Sequence, residues 1–284
     1  FSNAGGTADV FFNFTADTPV KTPVINDFGL DTGSYEALKG YWRFDKTSGN
    51  VKDYSGKDLD GTNNGASREV SGVFSTNAFK FDGDNDYVDI GSEPDFSGSI
   101  TVSFWAKPAD IESQKESGSA ATAIHNGFDG DGEGWKFDFV DDSDYVGDSS
   151  QDLEWGTYDG SNTDRAVVDG DFFENDKWYH VVGVANSTDR RIYINGKDET
   201  DSKNLEGFGA QTSNANLYIG AENLDGSDTD HWNGNLDEIR VYDKVLSPEE
   251  IENLYLNGGD GTFNGSYSSG EISTAGTERW LNFR

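Results

Sequence analysis

The sequence predicts an all-β chain, an antiparallel two-sheet sandwich with one short C-terminal helix and extra strands at both termini. Three observations point there. Apolar residues recur with period two: Ile100, Val102, Phe104 and Ala106 alternate with Thr101, Ser103 and Trp105, while Trp135, Phe137 and Phe139 alternate with Lys136 and Asp138. Turn residues separate these runs, most clearly Asn195-Gly196 after Arg191–Ile194, the type I′ hairpin signal. The core material is aromatic, with 19 Phe, 12 Tyr and 7 Trp in 284 residues.

The remaining elements follow in order. Trp178, His180, Val182 and Val184 share one strand face, and Asn216–Gly220 and Leu236–Tyr242 supply further strands. Ser247-Pro248-Glu249-Glu250 is a capping box with Pro at the first helical position. Ile251, Leu254 and Tyr255 then share one helical face, and Asn257-Gly258 supplies the stop, so a short helix is expected to lid one end of the sandwich.

The chain divides into three parts: an N-terminal strand and linker at 1–35, a dense central block at 36–258, and C-terminal strands at 259–284. Ala8–Thr15 and Gly276–Phe283 read as strands without a sheet. Unpaired apolar strands are a liability in a monomer. Three accounts stand. The chain is cut from a tandem array; its ends complete each other, within the chain or between copies in a filament; or both ends pack onto the central sandwich.

Charge excludes some partners. With 53 Asp and Glu against 21 Lys and Arg, the formal net charge is −32. Such a field repels nucleic acid and anionic membrane surfaces. The excess runs along the whole chain, which suits a high-salt medium where a short Debye length screens self-repulsion. A halophilic source and an extracellular or cell-surface location are the expectation. No apolar run is long enough to span a membrane, and no Cys is present for disulfides. Sequons at Asn13, Asn186 and Asn264 offer glycosylation sites in an exported chain.

A family resemblance rests on several segments taken together. Gly40-Tyr41-Trp42-Arg43-Phe44-Asp45, Asp53-Tyr54-Ser55-Gly56, Phe81-Asp82-Gly83-Asp84-Asn85-Asp86-Tyr87-Val88, Ser99–Pro108, Lys177–Val182, Ile192–Lys197 and Leu236–Tyr242 followed by Leu246–Ile251 resemble, in this order, laminin-G-like and pentraxin-like domains of the concanavalin A-like superfamily. The resemblance covers 40–257 and implies a jelly roll of about a dozen antiparallel strands. It also implies glycan binding, adhesion or accessory roles beside enzymes, though fold alone does not set function.

Calcium is the expected cofactor, since hard cations take six to eight oxygens. Asp129, Asp131 and Glu133 with Glu222, Asn223 and Asp225 lie in two loops similar to the calcium pair of pentraxins. Asp82, Asp84 and Asp86 around the Phe-Asp-Gly turn, with Asp237, form a second set, although Asp-Gly-Asp is also ordinary turn chemistry. Trp135, Trp155, Tyr158 and Trp232 are candidate sugar-stacking aromatics, with core packing as the competing role. Catalysis is not expected. The superfamily's glucanases carry Glu-x-Asp-x-x-Glu on one strand; Glu93-Pro94-Asp95 starts like it but continues Phe-Ser-Gly. Asp237 and Glu238 are adjacent, so on a regular strand they face opposite sides. The three His lie far apart in sequence, without a metal or nucleophile motif.

The expected function is a non-catalytic extracellular lectin or cell-adhesion module, binding a glycan or a cell-surface protein and stabilised by calcium. The alternative is a structural subunit of a pilus-like filament or surface layer, assembled through the terminal strands.

Overall fold

A computed structural model describes residues 36–257, apart from 47, 70–71, 75–76, 93–95, 111–119, 128–132, 142–150, 169–171, 208–214 and 225–226. The terminal segments 1–35 and 259–284, and with them the strands expected there, lie outside the described residues.

Two antiparallel sheets stack face to face. The first runs β13 (Lys197–Asp198), β12 (Arg190–Ile194), β11 (Tyr179–Ala185), β6 (Ile100–Pro108), β18 (Asn233–Tyr242), β4 (Ala78–Asp82) and β3 (Ser67–Glu69), with β1 (Leu38–Trp42) also on β18. The second runs β14 (Ser202–Asn204), β10 (Thr163–Val168), β9 (Gln151–Tyr158), β8 (Gly134–Asp141), β7 (Ala121–Asn126), β15 (Asn216–Ile219), β5 (Tyr87–Ser92) and β2 (Thr62–Asn64). A short hairpin, β16 (Glu222–Leu224) with β17 (Ser227–Thr229), stands apart. This is the expected sandwich, cut into more and shorter strands than the sequence pattern showed.

The aromatic runs fill the space between the sheets. Phe104 meets Phe137 edge-on at 5.1 Å, Phe137 stacks on Trp155 at 4.5 Å, and Phe44 stacks on Phe79 at 4.3 Å. Gly183 on β11 makes the close approach possible. A Cβ there would lie 2.3 Å from the Phe137 ring and 2.8 Å from that of Trp155. The notch also lets the Trp155 indole donate to the Val184 carbonyl of the opposite sheet, at 3.1 Å.

One buried ion pair also joins the sheets. Arg190 on β12 donates to the Asp164 carboxylate on β10 at 2.6 Å and to the Thr157 hydroxyl, and both charged side chains are fully buried. Asp164 also accepts from the amides of Glu206 and Gly207, so the carboxylate sits amid several donors.

Strand β18 is the hub of the first sheet. Asn233–Leu236 pair with β4, Ile239–Tyr242 pair with β1, and β6 runs along the other edge. The change of partner occurs at a bulge, where the β18–β6 register shifts between Asp237 and Arg240 and Glu238 has φ of 54°. Asp237 and Glu238 therefore do not obey simple strand alternation, contrary to the expectation from their adjacency. Asp237 accepts from the amides of Val73 and Glu238. Glu238 accepts from the Tyr41 hydroxyl and the Arg240 guanidinium, each at 2.6 Å.

The helix α1 (Pro248–Asn257) forms with the expected box: Ser247 N donates to Glu250 Oε2 at 2.7 Å and Glu250 N to Ser247 Oγ at 3.3 Å. It lies across the outer face of the first sheet and not over an end of the sandwich. Leu246, Ile251 and Leu254 pack on Val182, Val184, Tyr193 and Tyr242 in a second apolar cluster. His180 is covered there, fully buried, with Nε2 2.9 Å from Ser103 Oγ and its pKa lowered to about 3 by burial.

Two outcomes are expected. Arg190→Ala strands the Asp164 carboxylate and should lower the unfolding free energy by about 3–5 kcal/mol in urea titration; a loss below about 1 kcal/mol would sink the bridging role of this ion pair. Burial, reinforced by Glu238, raises the Asp237 pKa to about 8. The native state then keeps a proton that the unfolded chain releases near pH 4, so this group's contribution to stability falls as pH rises from about 4 to 8. Asp237→Asn should flatten the decline of Tm across that window; an unchanged slope in calorimetry at several pH values would count against it.

Candidate functional site

The second sheet has an outer face built from charge. The register aligns a row across seven strands: Asp89, Tyr218, His125, Lys136, Gly156, Arg165 and Asn204. One level along, Thr122, Asp138 and Glu154 stand directly opposite one another. These are the alternate positions of strands whose other face carries Trp135, Phe137, Phe139, Leu153 and Trp155 into the core.

Most of this polar row is buried. His125 and Asp138 are fully covered, and Lys136, Asp152, Glu154 and Glu222 are nearly so. The charges pair internally. Lys136 Nζ sits 2.9 Å from Asp138 and 3.5 Å from Glu222, and Arg165 Nε sits 3.1 Å from Glu154. His125 accepts the Asn223 amide at Nδ1 and turns Nε2 toward Glu222 at 3.5 Å. Burial pushes the Glu222 carboxyl up, against the opposing pull of Lys136. Asp138 and Glu154 stand opposite one another across two strands, and each is held by a cation.

The face opens at the β9–β10–β14 edge. A groove of about 270 Å³ is lined by Asn162, Thr163, Arg165, Asn204 and Glu206. Gly156 leaves no side chain beside Arg165. Tyr158 pairs with Thr163 and is half-buried on the same face. The β9–β10 turn is fixed by Asp159, which accepts from the amides of Ser161 and Asn162 at 2.9 and 2.7 Å. Amides, a hydroxyl, a guanidinium and a carboxylate thus converge on one rim.

Sequence-predicted residues fall differently. Trp135, Trp155 and Trp232 have 0% exposure, so they are core residues with no face open to a sugar. Their rings are taken up by Phe96, Phe137 and Phe139. Of the four named aromatics, Tyr158 alone is only half-buried, and its strand partner Thr163 lines the groove. Asp82, Asp84 and Asp86 share the expected turn, but Asp82 accepts from the amides of Asp84 and Asn85, and Asp86 from that of Asp82. Asp237 lies four positions along β18 from Asn233, the partner of Asp82, about 13 Å away at the rise of a strand. In the loop set, Glu133 is exposed and Glu222 and Asn223 are buried against His125, while Asp129, Asp131 and Asp225 lie outside the described residues. Among the described residues, no three Asp, Glu or His side chains converge as a metal site. Arg165, Asn162, Asn204 and Glu206 were not singled out from sequence. Only the alternation of Thr163 and Arg165 with Asp164 and Ala166 marks this strand as two-faced.

Comparison with known proteins bears on this fold. Residues 82–252 match a laminin-G-type family model described as the concanavalin A-like lectin/glucanases superfamily. Strands β1–β3 precede that span, yet they pair into the two sheets. Among solved structures, the receptor-binding domain of botulinum neurotoxin C/D mosaic serotype is similar at TM-score 0.59 and 19% identity, covering 78% of this chain and 51% of that one. The binding domain of Paraclostridial Mosquitocidal Protein 1 is similar at TM-score 0.59 and 17% identity, covering 80% and 54%. Domain 4 of the extracellular arabinanase AbnA from Geobacillus stearothermophilus, in complex with arabinotriose, is similar at TM-score 0.54 and 18% identity, covering 77% and 98%. The chain thus spans about half of the toxin binding domains and nearly all of the arabinanase domain. No curated protein sequence matches. At these identities the solved structures speak for the fold, and the family model, matched over more than half the length, settles membership: the chain belongs to the concanavalin A-like lectin/glucanase superfamily.

Proposed function

We propose that this chain is a non-catalytic, extracellular saccharide-binding module that holds a neutral sugar chain in the groove beside Arg165. The convergence of Asn162, Thr163, Arg165, Asn204 and Glu206 on one rim carries the reading. Sugar hydroxyls need alternating donors and acceptors at fixed positions, and this rim supplies both, with Tyr158 as an adjacent apolar surface. The net charge of −32 disfavours anionic glycans, so a neutral ligand fits best. The arabinanase domain, solved with arabinotriose, and the receptor-binding toxin domains lend the fold-level analogy.

The absence of catalysis is part of the proposal. The paired carboxylates of the polar row already have their cations, so a bound saccharide is held without bond cleavage. The filament alternative rests on segments 1–35 and 259–284, outside the described residues. Calcium falls to the loops at 129–133 and 222–225, and a chelator control addresses it.

The test is a glycan array on the full chain, with and without chelator, followed by calorimetry on the best neutral oligosaccharide. Asn204→Ala, at an exposed position, should weaken binding about tenfold with Tm unchanged, and Arg165→Ala should weaken it further. No reducing ends should appear on prolonged incubation. Failure to bind any glycan, or full affinity in both variants, would remove the proposal.

A further inference from the structure

The β11–β12 turn carries Asn186-Ser187-Thr188, a sequon that the saccharide site leaves unused. The turn belongs to the first sheet, and Lys203 of β14 reaches its Asp189 at 2.5 Å. Ser187 and Thr188 are exposed and Asn186 is half-buried. Asn186 Oδ1 accepts three hydrogen bonds: from Thr188 N at 2.8 Å, Thr188 Oγ1 at 2.9 Å and Asp189 N at 2.9 Å. The backbone closes the same turn, with Asn186 N donating to Asp189 O at 3.0 Å. The turn therefore uses the oxygen of the carboxamide and leaves Nδ2 without a partner among the described residues.

Asn186 borders a groove. The cavity of about 540 Å³ is bordered by Asn186 and Arg191 on one side and by Lys244 and Glu249 on the other, over Tyr193 and Val245. The two cations along it are held in place, Arg191 by Asp189 and Asp198 and Lys244 by Glu250. A substituent on Nδ2 would enter a space with an aromatic and aliphatic floor and a polar rim, a combination that suits the apolar faces and hydroxyl edges of sugar rings.

We propose that Asn186 is an N-glycan acceptor and that the first sugars of its glycan lie in the groove between the β11–β12 turn and helix α1. The donor is an oligosaccharide carried on a polyprenyl phosphate or pyrophosphate. Nδ2 attacks the anomeric carbon, the C–N bond forms as the C–O bond to phosphate breaks, the lipid phosphate leaves, and one amide proton passes to solvent. The sequon supplies the acceptor and the exposed turn supplies access.

The experiment uses the full chain purified from the cells that make it. After trypsin, the peptide 178–190, bounded by Lys177 and Arg190 and holding a single sequon, should carry a glycan mass increment in tandem mass spectrometry. Asn186→Asp retains an oxygen acceptor for the turn and removes the nucleophilic nitrogen. It should abolish the increment with Tm within a few degrees of the parent. Thr188→Ser should keep the increment and Thr188→Ala should lose it. Hydrogen exchange across 244–250 should be several-fold slower in the glycosylated chain than in Asn186→Asp. An unmodified 178–190 peptide overturns the proposal, whether or not Asn13 or Asn264 carries sugar. Equal exchange rates overturn the seating in the groove.

Discussion

The bulge in β18 decides how the first sheet is assembled. A ten-residue strand has two edges, and here one edge serves two partners in turn, β4 before the bulge and β1 after it. The extra residue is tolerated because both side chains at the bulge find donors: two backbone amides for Asp237, and Tyr41 and Arg240 for Glu238. Arg240 also lies over the Tyr41 ring, 4.1 Å from its centroid, so strand β1 is held by charge as well as by its ladder. The raised pKa of Asp237 is the cost of placing an acid there.

The same tension between acid and burial shapes the second sheet. In a chain with net charge −32, three cations stand where carboxylates are covered. Lys136 serves Asp138 and Glu222, Arg165 serves Glu154, and Arg190 serves Asp164 between the sheets. The exposed remainder is left to water and counterions, where single ion pairs contribute little. Arg165 holds Glu154 beside the open groove of the second sheet.

How much of this was legible in the sequence depends on range. The capping box of α1, the Asn195-Gly196 hairpin between β12 and β13 and the alternation in β6 and β8 are local signals, and each formed as the spacing implied. The polar row from Asp89 to Asn204 was not legible, because it needs the register of seven strands contributed from residues 89 to 218 in a non-sequential order. The tryptophans were ambiguous for a related reason. Strand alternation places Trp135 and Trp155 on one face, but which face meets the other sheet is set by what packs opposite, here Gly183. The adjacency of Asp237 and Glu238 misled because a bulge breaks period two, and the residue at positive φ is Glu238, not the Gly or Asn that would mark the position in sequence.

The two outer faces of the sandwich have divergent fates. On the first sheet the outer face is apolar, with Val182, Val184 and Tyr193, and it needs a cover; α1 supplies one, capped so that a ten-residue helix forms against it. On the second sheet the outer face is polar and neutralised within itself, so no helix is required and its edge stays open to a solvent-borne ligand. The helix, by covering one face, also creates the groove that Asn186 borders. The β11–β12 turn that carries this asparagine lies next to the 203–207 segment of the saccharide groove, where Lys203 pairs with Asp189 at 2.5 Å. Recognition on one sheet and decoration on the other are thus both consequences of how period-two strands divide their residues between a shared core and two unequal exteriors.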